Sequence, residues 1–180
     1  MIRIAAVGDV HYDQNARNRL RSQFEALDAK KADMLLIAGD LTQHGTVEEA
    51  EALVHDLKGL AVPVVSVLGN HDYHSNKQNE IQALLAENGV IVLEGQSTEL
   101  RVRDQSVGIM GLKGFGGGFA GGCVTEFGEP EMKAFAHHAR VQAEILRRGL
   151  EALDTDYKFA LLHFSPVEST LLGEKREIFP

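Results

Sequence analysis

The sequence lacks several features that mark specialised classes of protein. Its 180 residues include one cysteine, Cys123, which excludes an intramolecular disulfide framework and is compatible with a reducing cytosol. No apolar stretch is long enough to span a bilayer, and the apolar N-terminus reaches a charged residue too early for a signal peptide. We therefore expect a soluble, cytoplasmic protein with no membrane partner.

An excess of basic residues is also missing. The chain has 18 Lys and Arg against 26 Asp and Glu, which gives a formal net charge of −8 at pH 7. Because non-specific binding to nucleic-acid backbones needs a basic surface, broad nucleic-acid binding is not expected. A local phosphate site remains open, since a bound cation reverses the local sign of the charge. The length and the hydrophobic fraction of 44% suit a single globular domain over residues 1–180.

What the sequence does contain is one local pattern that occurs four times. A short apolar run, typical of a buried strand, ends in polar side chains suited to catalysis or metal binding. The runs are Ile2–Val7, Met34–Ala38, Val64–Leu68 and Phe159–Leu162. The residues that follow them are Gly8-Asp9-Val10-His11, Gly39-Asp40, Gly69-Asn70-His71-Asp72 and His163. The glycines let the backbone turn sharply where a strand ends.

Helical signals separate the first three runs. Apolar residues recur at helical spacing within residues 16–30, and the capping-box pair Thr46 and Glu49 begins a second helix. Strands and helices that alternate with short connections form right-handed crossovers and a parallel sheet. The polar residues after these runs are then expected at the carboxyl edge of that sheet, where open α/β sheets place their sites.

The second half of the chain predicts a second sheet. A helix over residues 78–87 and a short strand over 90–93 come first. Thr98–Arg103 alternates polar and apolar residues and Val107–Leu112 is more apolar, a pattern that indicates an antiparallel hairpin. A long helix is predicted over Glu131–Leu153, before the fourth apolar run.

The glycine-rich segment Lys113–Gly122 lies between the hairpin and the long helix. It has few side chains from which to build a core, so we expect a flexible surface loop. A mobile lid that carries Phe115 and Phe119 over a site is the alternative.

The residues after the four runs combine carboxylates, imidazoles and an amide oxygen. This donor set suits a divalent first-row metal ion such as manganese, iron or zinc, and the lack of thiolates argues against a structural zinc site. Each residue alone has an ordinary explanation, because such an aspartate is often a helix cap and such a histidine is often satisfied by hydrogen bonds. Several ionisable groups crowded at one sheet edge are nevertheless costly without a compensating charge. One metal ion, or a pair, supplies that charge.

In this order, the motifs Gly8-Asp9-Val10-His11, Gly39-Asp40, Gly69-Asn70-His71-Asp72 and the later His163 resemble the first four signature blocks of the calcineurin-like metallophosphoesterase superfamily. The resemblance runs from about residue 2 to residue 166. It implies an α/β fold in which a two-sheet sandwich is flanked by helices. It also implies a phosphate-ester substrate and a dinuclear centre of two divalent metal ions, with manganese, iron and zinc all open.

The resemblance assigns a role to each candidate metal ligand. Asp9 and His11 bind the first metal ion, Asp40 bridges both, and Asn70 and His163 bind the second. Two metal ions about 4 Å apart generate a hydroxide nucleophile at neutral pH and hold a phosphoryl oxygen.

Catalytic roles follow from the same resemblance. His71 acts at the leaving group as general acid or transition-state stabiliser, and Asp72 orients it. Monoesters, cyclic nucleotides, nucleic-acid ends and phosphoproteins all remain open as substrates. Arg17, Arg19 and Arg21 lie soon after the first motif and are candidates for a substrate phosphate, although alternating charges on a helix more often face solvent.

Two positions depart from the family pattern. The second block often carries another aspartate where this chain has Gln43. The closing Gly-His-x-His block, which gives one histidine to each metal ion, has no counterpart between His163 and Pro180. The chain is therefore expected to be truncated at its C-terminus, with weaker metal occupancy and activity. The alternative is a degenerate binding scaffold, which the missing block favours and the ligands of the first four blocks disfavour.

Overall fold

A four-stranded parallel sheet organises the N-terminal half of the protein. The computed structural model describes residues 1–119 and 121–171, so the end of the predicted domain 1–180 lies outside the described residues. The strands, hydrogen-bonded in this order, are β1 Ile4–Val7, β2 Met34–Ala38, β3 Val64–Val67 and β4 Val90–Val92. The connecting helices are α1 Arg21–Ala29, α2 Val47–Leu57 and α3 Gln78–Glu87. Because all four strands run in the same direction, their carboxyl ends meet at one edge.

The two faces of the parallel sheet enter different hydrophobic cores. In β2, Leu35 and Ile37 pack into the core that contains Leu53 of α2, on the side of the helices. Met34 and Leu36 point the other way, into a core shared with later strands. Successive side chains of a strand point to opposite faces. A strand covered on both faces is apolar at nearly every position, and this is why its sequence stands out.

The second half of the chain covers the face of the sheet that the helices leave free. Its elements are β5 Gln96–Val102, β6 Gln105–Leu112, β7 Gly118–Phe119, β8 Gly122–Cys123, α4 Pro130–Ala152 and β9 Tyr157–Leu162. A second sheet has the order β5-β6-β9, with β5 antiparallel and β9 parallel to β6. Met110 and Leu112 pack with Leu153 and with apolar residues of α4 on its outer face. The predicted two-sheet sandwich flanked by helices is confirmed.

Two predicted elements differ from the structure. Helix α1 begins at Arg21 instead of near residue 16, because a turn joins the Ala16 amide to the Asp13 carbonyl and Asn18 adopts a left-handed φ of 68°. The glycine-rich segment, predicted as a flexible loop, contains β7 and the first residue of β8, which form a short antiparallel pair. Among the described residues, no helix is both long and apolar enough to cross a membrane.

The fourth motif reaches the site by a different route from the first three. His163 follows β9, which belongs to the second sheet, whereas the first three motifs follow strands of the parallel sheet. The shared edge of the parallel sheet was predicted for the first three motifs, and His163 joins them from the second sheet. The two sheets pack face to face, so the end of β9 still lies beside the end of β2, and the His163 Nδ1 is 2.9 Å from the Ala38 carbonyl oxygen.

Candidate metal centre

Three candidate ligands occupy a backbone conformation that non-glycine residues seldom adopt. Asp9, His11 and Asp40 have φ values of 53°, 40° and 48°, in the left-handed region. Backbone hydrogen bonds hold the loops together, from the Asp9 amide to the Gly39 carbonyl at 3.1 Å and from the His11 amide to the Asp40 carbonyl at 2.9 Å. Strained backbone of this kind clusters at functional sites.

Two of the motif glycines leave space for a candidate ligand from another loop. A Cβ built at Gly39 would lie 2.8 Å from the His163 ring, and Gly39 itself has a φ of 83°. A Cβ built at Gly69 would overlap Oδ1 of Asp40 and lie 2.7 Å from its Cγ. Each glycine is therefore required by a close approach as well as by the turn at its own strand end.

Asp40 lies at the centre of the site and is only 4% exposed. Its Oδ1 accepts a hydrogen bond from the His71 amide at 2.9 Å and lies 3.4 Å from Nε2 of His163. Its Oδ2 lies 3.6 Å from Nε2 of His11 and 3.9 Å from Nε2 of His71. One carboxylate therefore faces three imidazoles that come from three different loops.

The potential ligands form two groups that share Asp40. One group is His11, Asp40 and His71, and the other is Asp9, Asp40 and His163; within each group the ligand atoms lie within 4.8 Å of one another. The resemblance pairs Asp9 with His11, whereas these groups place Asp9 with His163. The His11 Nε2 nevertheless lies 3.9 Å from Oδ1 of Asp9, so Asp9 is within reach of both groups.

The contact between His163 and Asn70 tests whether these residues fit a cation. Nδ1 of His163 donates to the Ala38 carbonyl at 2.9 Å, so in the neutral imidazole Nε2 carries a lone pair. That Nε2 lies 2.9 Å from Oδ1 of Asn70, and Oδ1 of Asp40 is also close. Three electron-pair donors thus converge with no proton among them, an arrangement that a bound cation stabilises. A nitrogen and oxygen donor set of this kind fits manganese, iron or zinc.

His71 is oriented by a backbone carbonyl. Its Nδ1 donates to the Gln43 carbonyl at 2.7 Å, which directs Nε2 toward the carboxylate of Asp40. Its ring also packs edge-on against the His11 ring, with centroids 4.5 Å apart. Gln43, where this chain departs from the family pattern, therefore contributes to the site through its backbone carbonyl.

The contacts of Asp72 differ from those that the resemblance implies, in which Asp72 orients the His71 ring. Its carboxylate is completely buried and accepts hydrogen bonds from the amides of Leu41, Thr42 and Gly69 and from the Thr42 hydroxyl, at 2.6–3.1 Å. Burial raises the pKa of Asp72, although these hydrogen bonds oppose the rise. Because the ring of His71 is held by Gln43, Asp72 ties the loops after β2 and β3 together instead of orienting His71 directly.

The candidate ligands line an open cleft of about 430 Å³. Aromatic and glycine residues also line it, among them Phe115, Phe119 and Phe164. The Phe115 ring packs on Phe135 of α4 at a centroid distance of 5.0 Å, so the glycine-rich segment is anchored to the long helix. A cleft lined by both polar and aromatic side chains suits an anionic group attached to an organic one.

Two charged residues behind the site were not singled out from the sequence. Glu94 accepts hydrogen bonds from the Leu68 amide at 2.9 Å and from the Tyr73 hydroxyl at 3.1 Å, and burial raises its pKa. The Lys113 ammonium lies 4.8 Å from the centre of the Tyr73 ring and 5.5 Å from that of Phe164, and burial lowers its pKa. Glu94 follows the fourth parallel strand, so the strand-end pattern could have identified it. Lys113 has no such local signal.

Two of the three arginines after the first motif, Arg19 and Arg21, have partners within the protein. The Arg19 guanidinium donates to the Val10 carbonyl, and Arg21 pairs with Glu25 at 2.7 Å. These contacts direct both side chains toward the protein's own groups instead of a substrate phosphate.

Comparison with known proteins gives the same family as the motifs. The sequence model described as calcineurin-like phosphoesterase matches residues 2–176. Comparison with curated proteins finds no match.

Several solved structures have a similar fold. The protein TT1561 of Thermus thermophilus is 19% identical with a TM-score of 0.59, over 95% of this chain and 72% of that one. Phosphopantetheinyl hydrolase from Mycobacterium tuberculosis is 16% identical with a TM-score of 0.60, over 95% and 71%. A putative 5′-nucleotidase from Staphylococcus aureus is 20% identical with a TM-score of 0.56, over 88% of this chain but only 36% of that one. Identities this low establish similarity of fold alone.

The family assignment rests on nearly the whole described chain. The family model spans all four motifs and both sheets, and the resemblance drawn from the motifs is thereby confirmed. That family comprises metal-dependent phosphoesterases, and this chain belongs to it, as a calcineurin-like phosphoesterase.

Proposed function

We propose that the protein hydrolyses a phosphate ester with the help of two divalent metal ions. The observation that carries the proposal is the position of Asp40, whose two carboxylate oxygens each face a separate group of potential ligands. A carboxylate between two such groups is suited to bridging two cations. The proposed ligands are Asp9, His11, Asp40, Asn70 and His163.

When bound at these ligands, the metal ions supply Lewis acidity to a phosphoryl group and make a water molecule more acidic at neutral pH. The protein's contribution is to hold the ligands in place. Asp40 keeps its orientation because the His71 amide donates to its Oδ1. His163 keeps the donor atom Nε2 directed at Asn70 because the Ala38 carbonyl holds its Nδ1 proton.

His71 is the proposed catalytic residue at the leaving group. With its Nδ1 proton donated to Gln43, the protonated imidazole can give its Nε2 proton to the departing oxygen. The proposed role of Asp72 is indirect, through the loops that it ties together after β2 and β3.

The choice of substrates to test follows from the aromatic residues that line the cleft and from the similar folds. Phe115 and Phe119 suit an organic group next to the phosphate. Two similar structures bear the names 5′-nucleotidase and phosphopantetheinyl hydrolase. We therefore propose nucleoside 5′-monophosphates and a phosphopantetheine ester as the first natural candidates. A cytoplasmic location is compatible with the single cysteine.

The test is hydrolysis of 4-nitrophenyl phosphate and bis(4-nitrophenyl) phosphate with manganese, iron or zinc added to metal-stripped protein. We expect turnover of at least one ester, loss of turnover with a chelator, and its return when the metal ion is added back. An Asp40→Asn variant should lose activity about a hundredfold or more, because the shared carboxylate is weakened. Absence of turnover with every metal ion and both esters would overturn the proposal.

A non-catalytic binding protein is the second candidate. It is favoured by Gln43, which stands where the second block of the family often carries another aspartate. The same assay separates the two candidates when it is combined with calorimetric titration of Mn²⁺. Tight metal binding without turnover of any ester would favour the binding protein.

A further inference from the structure

The segment that carries Asp9 and His11 is held from behind by a side chain outside the ligand set. Both residues have a left-handed backbone conformation, and the buried Val10 lies between them. The Val10 carbonyl accepts a hydrogen bond from the Arg19 guanidinium. The guanidinium also lies over the Tyr12 ring, 4.7 Å from its centre. Arg19 therefore bonds to the middle of the strained segment and rests on the residue that follows it.

A buried hydrogen bond ties the same segment to helix α2. Tyr12, next to His11, is completely buried, and its hydroxyl donates to Oδ2 of Asp56 at 2.7 Å. Asp56 is 1% exposed and also accepts from the amides of Asn18 and Leu20, at 2.6 and 3.2 Å. Burial acts to raise the pKa of Asp56, but the hydrogen bonds outweigh it and the pKa lies below its usual value. The ionised carboxylate of Asp56 therefore accepts hydrogen bonds from both ends of the loop that follows the first motif. Tyr12 lies at one end, and Asn18 and Leu20 lie at the other.

We propose that Tyr12, Arg19 and Asp56 are positioning residues. They hold Asp9 and His11 in the left-handed backbone conformation that directs the two side chains into the cleft. A non-glycine residue keeps such a conformation only where its surroundings over-determine it. The part of this inference that concerns metal ions rests on the proposed function, whereas the part that concerns the backbone does not.

The first experiment compares the wild-type protein with Tyr12→Phe, which keeps the ring under Arg19 and removes the hydroxyl. Tyr157→Phe is the matched control, because the Tyr157 hydroxyl accepts from Gln105 at 3.2 Å in an exposed position of β9. In metal-free protein we expect the amides of His11 and Tyr12 to exchange hydrogen roughly tenfold faster or more in Tyr12→Phe, with amides of β2 unchanged. Tyr157→Phe should leave these rates at their wild-type values.

The second experiment uses Arg19→Met, with Arg21→Met as its matched control. Arg21 donates to Glu25 and to the His55 carbonyl, away from the first motif. Titration of Mn²⁺ should give a dissociation constant roughly tenfold higher or more for Arg19→Met and near the wild-type value for Arg21→Met. Arg19→Lys, which can still donate to the Val10 carbonyl, should recover part of the loss.

The outcomes separate the positioning role from the proposed function. Unchanged exchange of the His11 and Tyr12 amides in Tyr12→Phe, or unchanged Mn²⁺ affinity in an Arg19→Met protein that folds normally, would overturn the inference. A wild-type protein that binds none of manganese, iron and zinc ions would overturn the proposed function, while faster exchange in Tyr12→Phe would still support the proposed restraint on the backbone. Circular dichroism and thermal unfolding of all variants identify any that fail to fold.

Discussion

Nε2 of His163 lies 2.9 Å from Oδ1 of Asn70, across 93 positions of the sequence. The two residues follow strands of different sheets, β9 and β3, so their contact exists only because the sheets pack face to face. Neither atom carries a proton to share when Nδ1 of His163 donates to Ala38. The pair is therefore a sensitive point at which to test metal binding.

Replacement of His163 should weaken one metal site more than the other. We expect His163→Ala to reduce Mn²⁺ binding at the proposed site with Asn70 by about a hundredfold or more. A direct ligand, as proposed for His163, matters at least as much as the outer-shell partners of metal ligands. Calorimetric titration measures the number and affinity of bound ions. His137→Ala is the control, since His137 is exposed on α4 and pairs with Glu126. Equal Mn²⁺ binding by both variants would contradict the assignment.

Replacement of His71 should slow hydrolysis according to the leaving group. His71→Gln removes the proton donor, so kcat/KM for an alkyl phosphate should fall roughly 10²–10⁴-fold. The loss should be much smaller for 4-nitrophenyl phosphate, whose leaving group departs without a proton. The ratio of the two losses is the measurement, and it cancels general effects on folding or metal loading. Equal losses for the two esters would argue that His71 acts through the structure alone.

Gly69→Ala should disturb the centre of the site. The added Cβ would overlap Oδ1 of Asp40, so the carboxylate or the backbone must move. We expect a loss of about 1–3 kcal/mol in the free energy of unfolding, together with weaker Mn²⁺ binding. Gly122→Ala is the control, because a Cβ there has no neighbour within 4 Å among the described residues. Urea unfolding and metal titration of both variants check the prediction, which fails if they behave alike.

Protonation of Glu49 should lower the stability of the protein at acidic pH. Burial acts to raise the pKa of Glu49, but hydrogen bonds from His44 and Thr46 outweigh it, and the pKa lies below its ordinary value of 4.5. A carboxylate with a lowered folded-state pKa stabilises the protein above the unfolded-state pKa. This contribution is lost as the pH falls through the folded-state pKa.

The measurement for Glu49 is urea unfolding from neutral pH to about pH 3, with Glu49→Gln as the comparison. Glutamine keeps the capping box but cannot ionise. At neutral pH we expect the wild type to be more stable by about 1 kcal/mol, and the difference should shrink as the pH falls. A difference that stays constant with pH would show that the charge of Glu49 has no part in it.

Local sequence patterns were sufficient to predict most of the helices and strands and the strand-end positions of the first three motifs. The bounds of β2 and α3 agree with the prediction because apolar spacing and end signals are properties of neighbouring residues. The same reasoning placed Asp9, Asp40 and Asn70 at strand ends, and parallel strands bring such ends together. Helix α1 was misplaced because Asn18, whose left-handed backbone interrupts the helical pattern, gives no strong breaking signal.

Contacts between residues that lie far apart in the sequence could not be predicted from local patterns. Which atom holds the ring of His71 depends on how the loop after β2 turns, and Gln43 contributes a carbonyl that every residue type possesses. The pairing of Glu94 with Tyr73 and the place of Lys113 against aromatic rings likewise need the fold. Backbone carbonyls and aromatic rings have no distinctive sequence signal. Which of them contact a functional residue is therefore determined by how the chain packs.

The amino-acid sequence by itself determined the alternation of strands and helices in the parallel sheet, the family and the candidate metal ligands, because these follow from periodicity and from motifs of adjacent residues. The tertiary structure alone decided that β9 joins the second sheet, that Asp72 ties loops together and that Asp40 is shared by two ligand groups. Those relationships depend on how the two sheets pack and on atoms far apart in the chain, which no local pattern encodes.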